Sequence, residues 1–210
     1  MALIIFDLDG TLAKTNEDIA DAVNVVRQVR GLQPLSYEKL TSLLGCGIFN
    51  LMKQAMPELH SDEEIQKTVD EQVAYYDKCY TNKTRLYPGV AATLEELSRR
   101  HTLAVCTNKL MRQAQEILRL LGAAQFFKCI IGNQGSIPLK PDAAAVQYVA
   151  NEAGCSLEGA WIVGDNWTDL QTGQNAGIKS CFCQYGFGNA RKFAADASIS
   201  SFDLLTKVIK

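Results

Sequence analysis

A chain of 210 residues can bury one substantial core with a small inserted domain, or form two modest domains. Its 47% hydrophobic content excludes a disordered chain. With 21 basic and 23 acidic residues the net charge is only -2, and no stripe of Lys and Arg offers a track for a nucleic-acid backbone.

Ala2 to Phe6 is a continuous apolar run, the pattern of a strand covered on both faces in a parallel sheet. Asp7, Asp9 and Gly10 follow at its carboxyl end, the edge at which open α/β sheets bind ligands. Two carboxylates so close repel unless a cation lies between them, and a hard divalent ion, magnesium, suits them. From about Glu17 to about Asn82 the pattern is helical only. Helices are expected from Ile19 through Arg30, over Tyr37–Leu44 and Phe49–Met56, and over Asp62–Tyr80. In the last of these Ile65, Val69, Val73, Tyr76 and Tyr80 mark one buried stripe, and Ser61 supplies the N-cap.

From Tyr87-Pro88-Gly89 onward helix and strand alternate, as in a doubly wound parallel sheet. Helices are predicted over Val90–Arg100, Arg112–Leu121, Asp142–Ala153, Asp169–Ala176 and Phe202–Ile209. Strands are predicted over Thr102–Cys106, Lys128–Ile131, Ala160–Val163 and Lys179–Cys183. The expected architecture is a Rossmann-like α/β core, residues 1–14 and 85–210, interrupted by an all-helical cap, residues 15–84. Each predicted strand end carries a polar cluster. Asp7 and Asp9 lie on the first, Thr107 and Asn108 follow Cys106, Lys140 precedes Pro141, and Gly164 to Asp169 follow Val163. Taken singly, Asp9-Gly10 is a turn signal, Thr107-Asn108 a helix cap and Lys140 a solvated lysine. Together on one sheet edge they converge on a site.

The seven cysteines, an odd number with no C-x-x-C pair, read as free thiols in a reducing compartment, with Cys181 and Cys183 packing on one face of a strand. No segment approaches the roughly 20 apolar residues of a membrane span, and the N-terminal run breaks too early for a signal peptide. The expectation is a soluble, cytoplasmic protein, monomer or homodimer, with neither membrane nor nucleic acid as partner. His60 and His101 lie far from every motif and are expected at the surface, which argues against a histidine-based hydrolase or zinc site.

Four ordered motifs, D-L-D-G-T at Asp7 to Thr11, T-N at Thr107-Asn108, K-P at Lys140-Pro141 and G-D-N-W-T-D at Gly164 to Asp169, resemble those of the haloacid dehalogenase-like hydrolases. The likeness is specifically to their phosphatases with a helical cap after the first strand, and it covers essentially the whole chain. It implies magnesium-dependent hydrolysis of a small phosphate monoester through an aspartyl-phosphate, with a general likeness to phosphoglycolate phosphatase-type enzymes. By resemblance, Asp7 is the nucleophile and Asp9 the general acid and base, and Lys140 is the fixed positive charge. Asp7, the main-chain carbonyl of Asp9 and Asp165 are metal ligands, with Asp169 in support. Gly10, Thr11, Thr107 and Asn108 meet the phosphate, and the cap loop Gly45-Cys46-Gly47 resembles a specificity loop whose glycines permit close approach.

Asn166 stands where many relatives carry Ser or Gly, Trp167 after it either narrows the site or packs beneath it, and Gly132 to Gly135 is neutral where acids are common. Rival readings are a β-phosphoglucomutase-like phosphotransferase and a catalytically silent binding protein of the same fold. A receiver domain does not fit, having no room for the helical insert.

Overall fold

The computed structural model describes residues 1–210. Strand β1 (Leu3–Phe6) is buried along its whole length and lies at the middle of a six-stranded sheet. Its flanks are β4 (Thr102–Leu110) and β6 (Trp161–Gly164), then β5 (Cys129–Asn133) beyond β4, and β7 (Lys179–Cys183) and β8 (Ala197–Ile199) beyond β6. Every pairing is parallel, with Ile5 opposite Ala104 on one side and Ile162 on the other. The two-residue side-chain period sends Ile4 and Phe6 into one core with Val105 and Val163, and Leu3 and Ile5 into another with Ala104 and Ile162. Helices α5 (Val90–Ser98) and α6 (Met111–Leu120) cover the first face; α7 (Ala143–Ala153) covers the second, with α8 (Trp167–Ala176) packed against it. The doubly wound α/β core is thus as expected from the sequence.

The chain leaves β1, returns to β4 on one side, and later crosses to β6 on the other. The reversal of winding places a crevice at the carboxyl ends of these three strands.

Between β2 (Ala13–Lys14) and β3 (Arg85–Leu86) run four helices, α1 (Asn16–Val29), α2 (Tyr37–Thr41), α3 (Ile48–Ala55) and α4 (Asp62–Tyr76). They share an apolar cluster with Val23, Met52, Ile65 and Tyr76 at its interior, which Ile117 of α6 joins from the core. Helix α4 opens on a reciprocal capping box between Ser61 and Glu64, and ends at Tyr76, four residues before the expected Tyr80. The insert joins the core through an antiparallel pair, Ala13 opposite Leu86 and Lys14 opposite Arg85. Its entry and exit are also clasped by Asp18 of α1, whose buried carboxylate accepts from the Lys83 and Thr84 N–H groups and from the Thr84 hydroxyl at 2.8–3.0 Å.

The two-residue strands β2 and β3 and the edge strand β8 escape the sequence reading, being too short to show a period. The C-terminal helix is a 3₁₀ turn (Phe202–Leu204) running into α9 (Leu205–Val208). The surface placement of the histidines is right for His60 and wrong for His101, which packs at the amino end of β4, 7% exposed, with both ring nitrogens unpartnered. Burial and the neighbouring Arg100 charge hold its pKa below the ordinary value. All seven cysteines are free, with Cys181 and Cys183 inside one apolar cluster. No helix is long and apolar enough to cross a membrane.

Candidate active site

Strand β1 delivers Asp7 to the crevice, where its N–H donates to Val163 O at 2.9 Å and so locks it to β6. The chain then turns on Leu8, whose carbonyl accepts from Thr11, Leu12 and Ala13. Gly10 carries φ +87° in that turn, and a Cβ there would lie 2.1 Å from Asp165 Oδ2. Only glycine lets the turn lie against that carboxylate.

Lys140 is the hub. Its side chain is 2% exposed, and its ammonium lies 2.9 Å from Asp7 Oδ1 and 2.6 Å from Asp169 Oδ1. The second oxygen of Asp169 accepts from the Asn166 N–H at 3.0 Å as half of the capping box that starts α8. Asp169 is thereby committed on both oxygens, which makes it the orienter of Lys140. Asp165 accepts from the Gly188 N–H at 2.7 Å and the Thr11 hydroxyl at 3.2 Å.

The oxygens of Asp7, Asp165 and Asp169 lie within 4.8 Å of one another. Three buried carboxylates face one ammonium, and the imbalance shows in their proton affinities. Burial, with the charges of Asp169 and Asp9 added, pushes the Asp7 carboxyl up to about 6 against the pull of Lys140. Asp165 is raised likewise by burial and by the charges of Asp7 and Asp169. The same carboxylates outweigh burial at Lys140 and hold it protonated. An all-oxygen donor set with surplus negative charge fits a hard divalent cation.

Strand β4 continues past Cys106 through a register shift, and this extension carries Thr107, Asn108 and Lys109 into the crevice. Thr107 lines the cavity. The expectation that the Asn108 side chain donates to phosphate is corrected. Its amide donates to Gly45 O and Lys140 O, both at 2.9 Å, and its oxygen accepts from the Lys140 N–H. With both ends occupied, Asn108 is a clamp between sheet, lysine loop and insert. Thr11 is likewise turned to Asp165 and does not line the cavity.

The insert's loop Gly45-Cys46-Gly47 lies against the core. Gly45 has φ +110°, and a Cβ on it would stand 2.5 Å from Asn166 Nδ2. That amide donates to Leu44 O at 3.4 Å, while Gly47 packs near Asn108 and Leu139. Trp167 neither narrows the site nor lies beneath it. It stacks on Phe193 with the Arg191 guanidinium 4.3 Å from its ring, outside the cavity lining.

Two site residues escape the sequence reading. Lys109 places its ammonium 3.2 and 3.3 Å from the two Asp9 oxygens and 4.5 Å from the Tyr76 ring centroid, with a side chain only 6% exposed. Its position directly after Thr107-Asn108 is the one available signal. Phe187 closes another wall from the loop whose Gly186 and Gly188 lie against Asp165. Asp9 also accepts from the Thr15 hydroxyl at 2.6 Å. The cavity, partly open to solvent, offers about 60 Å³ to water-sized occupants.

A two-sided α/β sheet whose crossover rim gathers four acids and two buried lysines is the frame of a hydrolase, with an acidic cluster able to hold a metal ion. Comparison with known proteins gives the family. Residues 4–183 match the model of the haloacid dehalogenase-like hydrolases, and the chain belongs to that family.

Among its curated relatives are the phosphoglycolate phosphatase of Agrobacterium fabrum, 31% identical over 99% of this chain and 91% of its own length, and phosphoglycolate phosphatase 1 of Pseudomonas aeruginosa, 30% identical over 99% and 78%. A crystal structure described as a predicted phosphoglycolate phosphatase from Haemophilus somnus superposes with a TM-score of 0.92 at 27% identity, covering 100% of this chain and 98% of that one. The fold is shared also by CbbY from Rhodobacter sphaeroides, solved in complex with phosphate, with a TM-score of 0.82 at 22% identity over 98% and 96% of the two chains.

Proposed function

We propose that this chain is a magnesium-dependent phosphatase that hydrolyses a small phosphate monoester through an aspartyl-phosphate on Asp7. The observation that carries this reading is the Asp7–Lys140–Asp169 chain of ion pairs at the wall of a small cavity, with Asp9 in the same lining. Lys140 grips Asp7 Oδ1 and leaves Oδ2 to attack phosphorus. As that oxygen bonds to phosphorus, the bond to the leaving oxygen breaks and Asp9 gives that oxygen its proton. In the second half Asp9, now a carboxylate, takes a proton from water. The water oxygen bonds to phosphorus, the bond to Asp7 breaks, and inorganic phosphate leaves.

Lys140 stays charged throughout and offsets the anions that meet at Asp7, while Thr107 donates to a phosphate oxygen. A magnesium ion held by Asp7, Asp165 and the Asp9 carbonyl, with Asp169 in support, would supply Lewis acidity and neutralise the phosphate. Residues 15–84 are the cap, and residues 1–14 and 85–210 the catalytic core. With Gly45 and Asn166 in contact the cap is seated, and the space left admits a phosphoryl group and a short leaving group. The names of the relatives favour phosphoglycolate as substrate. A silent binding protein has no use for Asp7, Asp9 and Lys140 held in one buried cluster.

The test is phosphate release from p-nitrophenyl phosphate with and without magnesium. Turnover is expected to need the ion, and Asp7→Asn to lower kcat on the order of 10⁴-fold or more with an unchanged circular dichroism spectrum. Appreciable turnover by folded Asp7→Asn would remove Asp7 as nucleophile.

A further inference from the structure

Asp9 marks where the leaving oxygen must come, so the groups around Asp9 meet the rest of the leaving group. Of the residues lining the cavity only Lys140 and Lys109 are cationic. Lys140 is taken up by Asp7 and Asp169. The insert contributes no cation to the wall and presents Ile19, Ile48 and Leu51 there, with Gln72 and Tyr76 as its polar groups. The Tyr76 side chain is 1% exposed, and its hydroxyl has no hydrogen-bond partner. A buried hydroxyl left unpaired costs free energy until something accepts from it.

We propose that Lys109, together with the unpartnered hydroxyl of the Tyr76 ring it packs on, selects the leaving group by pairing with a carboxylate one carbon removed from the ester oxygen. The proposal rests on the phosphatase reading of the same site and assigns its specificity to these two side chains. The ammonium has three N–H donors. Those not spent on Asp9 remain for an anion, and the Tyr76 ring beneath holds the cation in place. Burial keeps the Tyr76 phenol far above its ordinary pKa, so it stays a donor. A carboxylate accepts from both groups at once, whereas a neutral hydroxyl leaves the ammonium less compensated and a cationic leaving group is repelled by it. The apolar insert wall gives a long polyhydroxylated leaving group little to bond.

The probes are 2-phosphoglycolate and its neutral counterpart 2-hydroxyethyl phosphate. In the wild type kcat/KM is expected to favour the carboxylate by about 10- to 100-fold, the weight of a charge-assisted hydrogen bond. Lys109→Met should bring that ratio close to one, Lys109→Arg should retain part of it, and Tyr76→Phe should lower it by a smaller factor. A ratio unaltered in folded Lys109→Met, or a wild type that takes the neutral ester equally well, overturns the assignment. Calorimetric affinities of the two esters for Asp7→Asn read the same discrimination without turnover. Equal affinities there overturn the Lys109 assignment, whereas a missing turnover of p-nitrophenyl phosphate by the wild type counts against the phosphatase reading alone. Should Lys109→Met not fold, competition against p-nitrophenyl phosphate in the wild type decides: glycolate is expected to inhibit at concentrations where glycolamide does not, and equal inhibition overturns the proposal.

Discussion

On the sheet side of the cavity Lys140 pairs with Asp7 and Asp169, Asp169 also accepts from the Asn166 N–H, and Asp165 accepts from Gly188 and Thr11. On the insert side the wall is mostly aliphatic, with Gln72 and Tyr76 as its buried polar groups, and the Tyr76 hydroxyl is unpartnered. The sheet side spends its polar groups on one another, which fixes the reacting atoms to a single geometry. The insert side keeps a polar group in reserve and rests on the core through Gly45 to Asn108 and Leu44 to Asn166, through Asp77 to Arg112 and Gln113 of α6, and through Ile117 of α6 in its apolar cluster. On the proposed reading, chemistry is built into the sheet half, which this network holds rigid, and the leaving group is met at the seam, where Lys109 of β4 and Tyr76 of the insert come together.

The sharpest way to break this division is to remove the hub of the rigid half. Lys140→Met leaves Asp7 and Asp169 facing each other in a buried site, and stripping one partner from a buried pair typically costs about 3–5 kcal/mol. The expected outcome is a large drop in the urea midpoint in metal-free buffer, together with loss of turnover on every ester. A stability loss below about 1 kcal/mol would mean that the network orients the site without supporting the fold.

Asp9 stands between the two halves, held by Thr15 and Lys109, and its replacement should have the next largest effect. Asp9→Asn is expected to slow alkyl phosphates by about 10²- to 10⁴-fold, and p-nitrophenyl phosphate by much less, since an acidic phenol leaves without needing a proton. Equal losses on both would count against the acid role and make Asp9 a purely structural acceptor.

The two halves also differed in how far the sequence revealed them. The acids and Lys140 were legible because each follows an apolar strand, and a parallel sheet brings strand ends together whatever their separation in the chain. The direction of individual side chains was not legible. Thr11 bonds Asp165 across 154 positions, and Asn108 spends its amide on Gly45 and Lys140. Such pairings depend on the register of β1, β4 and β6, which no local pattern encodes. Lys109 is hidden from the sequence for the same reason. A lysine after a strand is ordinarily solvated, and only the continuation of β4 past Cys106, with Tyr76 arriving from the insert, encloses it. The burial of His101 is illegible because packing at the far end of β4 leaves no trace in an otherwise polar stretch.

The smallest expected effect is also the most specific test of the division, because it touches the seam. Gly45 sits at φ +110° with the Asn166 amide where its Cβ would go, so Gly45→Ala adds both backbone strain and a collision. Relief requires the loop to lift or Asn166 to turn, and either loosens the contacts that seat the insert. Asn166 also caps α8, which carries Asp169, so a turned Asn166 would disturb the chemistry, whereas a lifted loop would disturb closure alone. Strain of about 1–2 kcal/mol corresponds to roughly tenfold. If the loop lifts, that factor should appear in KM for small alkyl phosphates more than in kcat for p-nitrophenyl phosphate, whose aryl group depends less on a seated insert. A uniform fall in kcat across all substrates would place the damage at Asn166 and Asp169, and would show that the loop supports the sheet half as well as the insert.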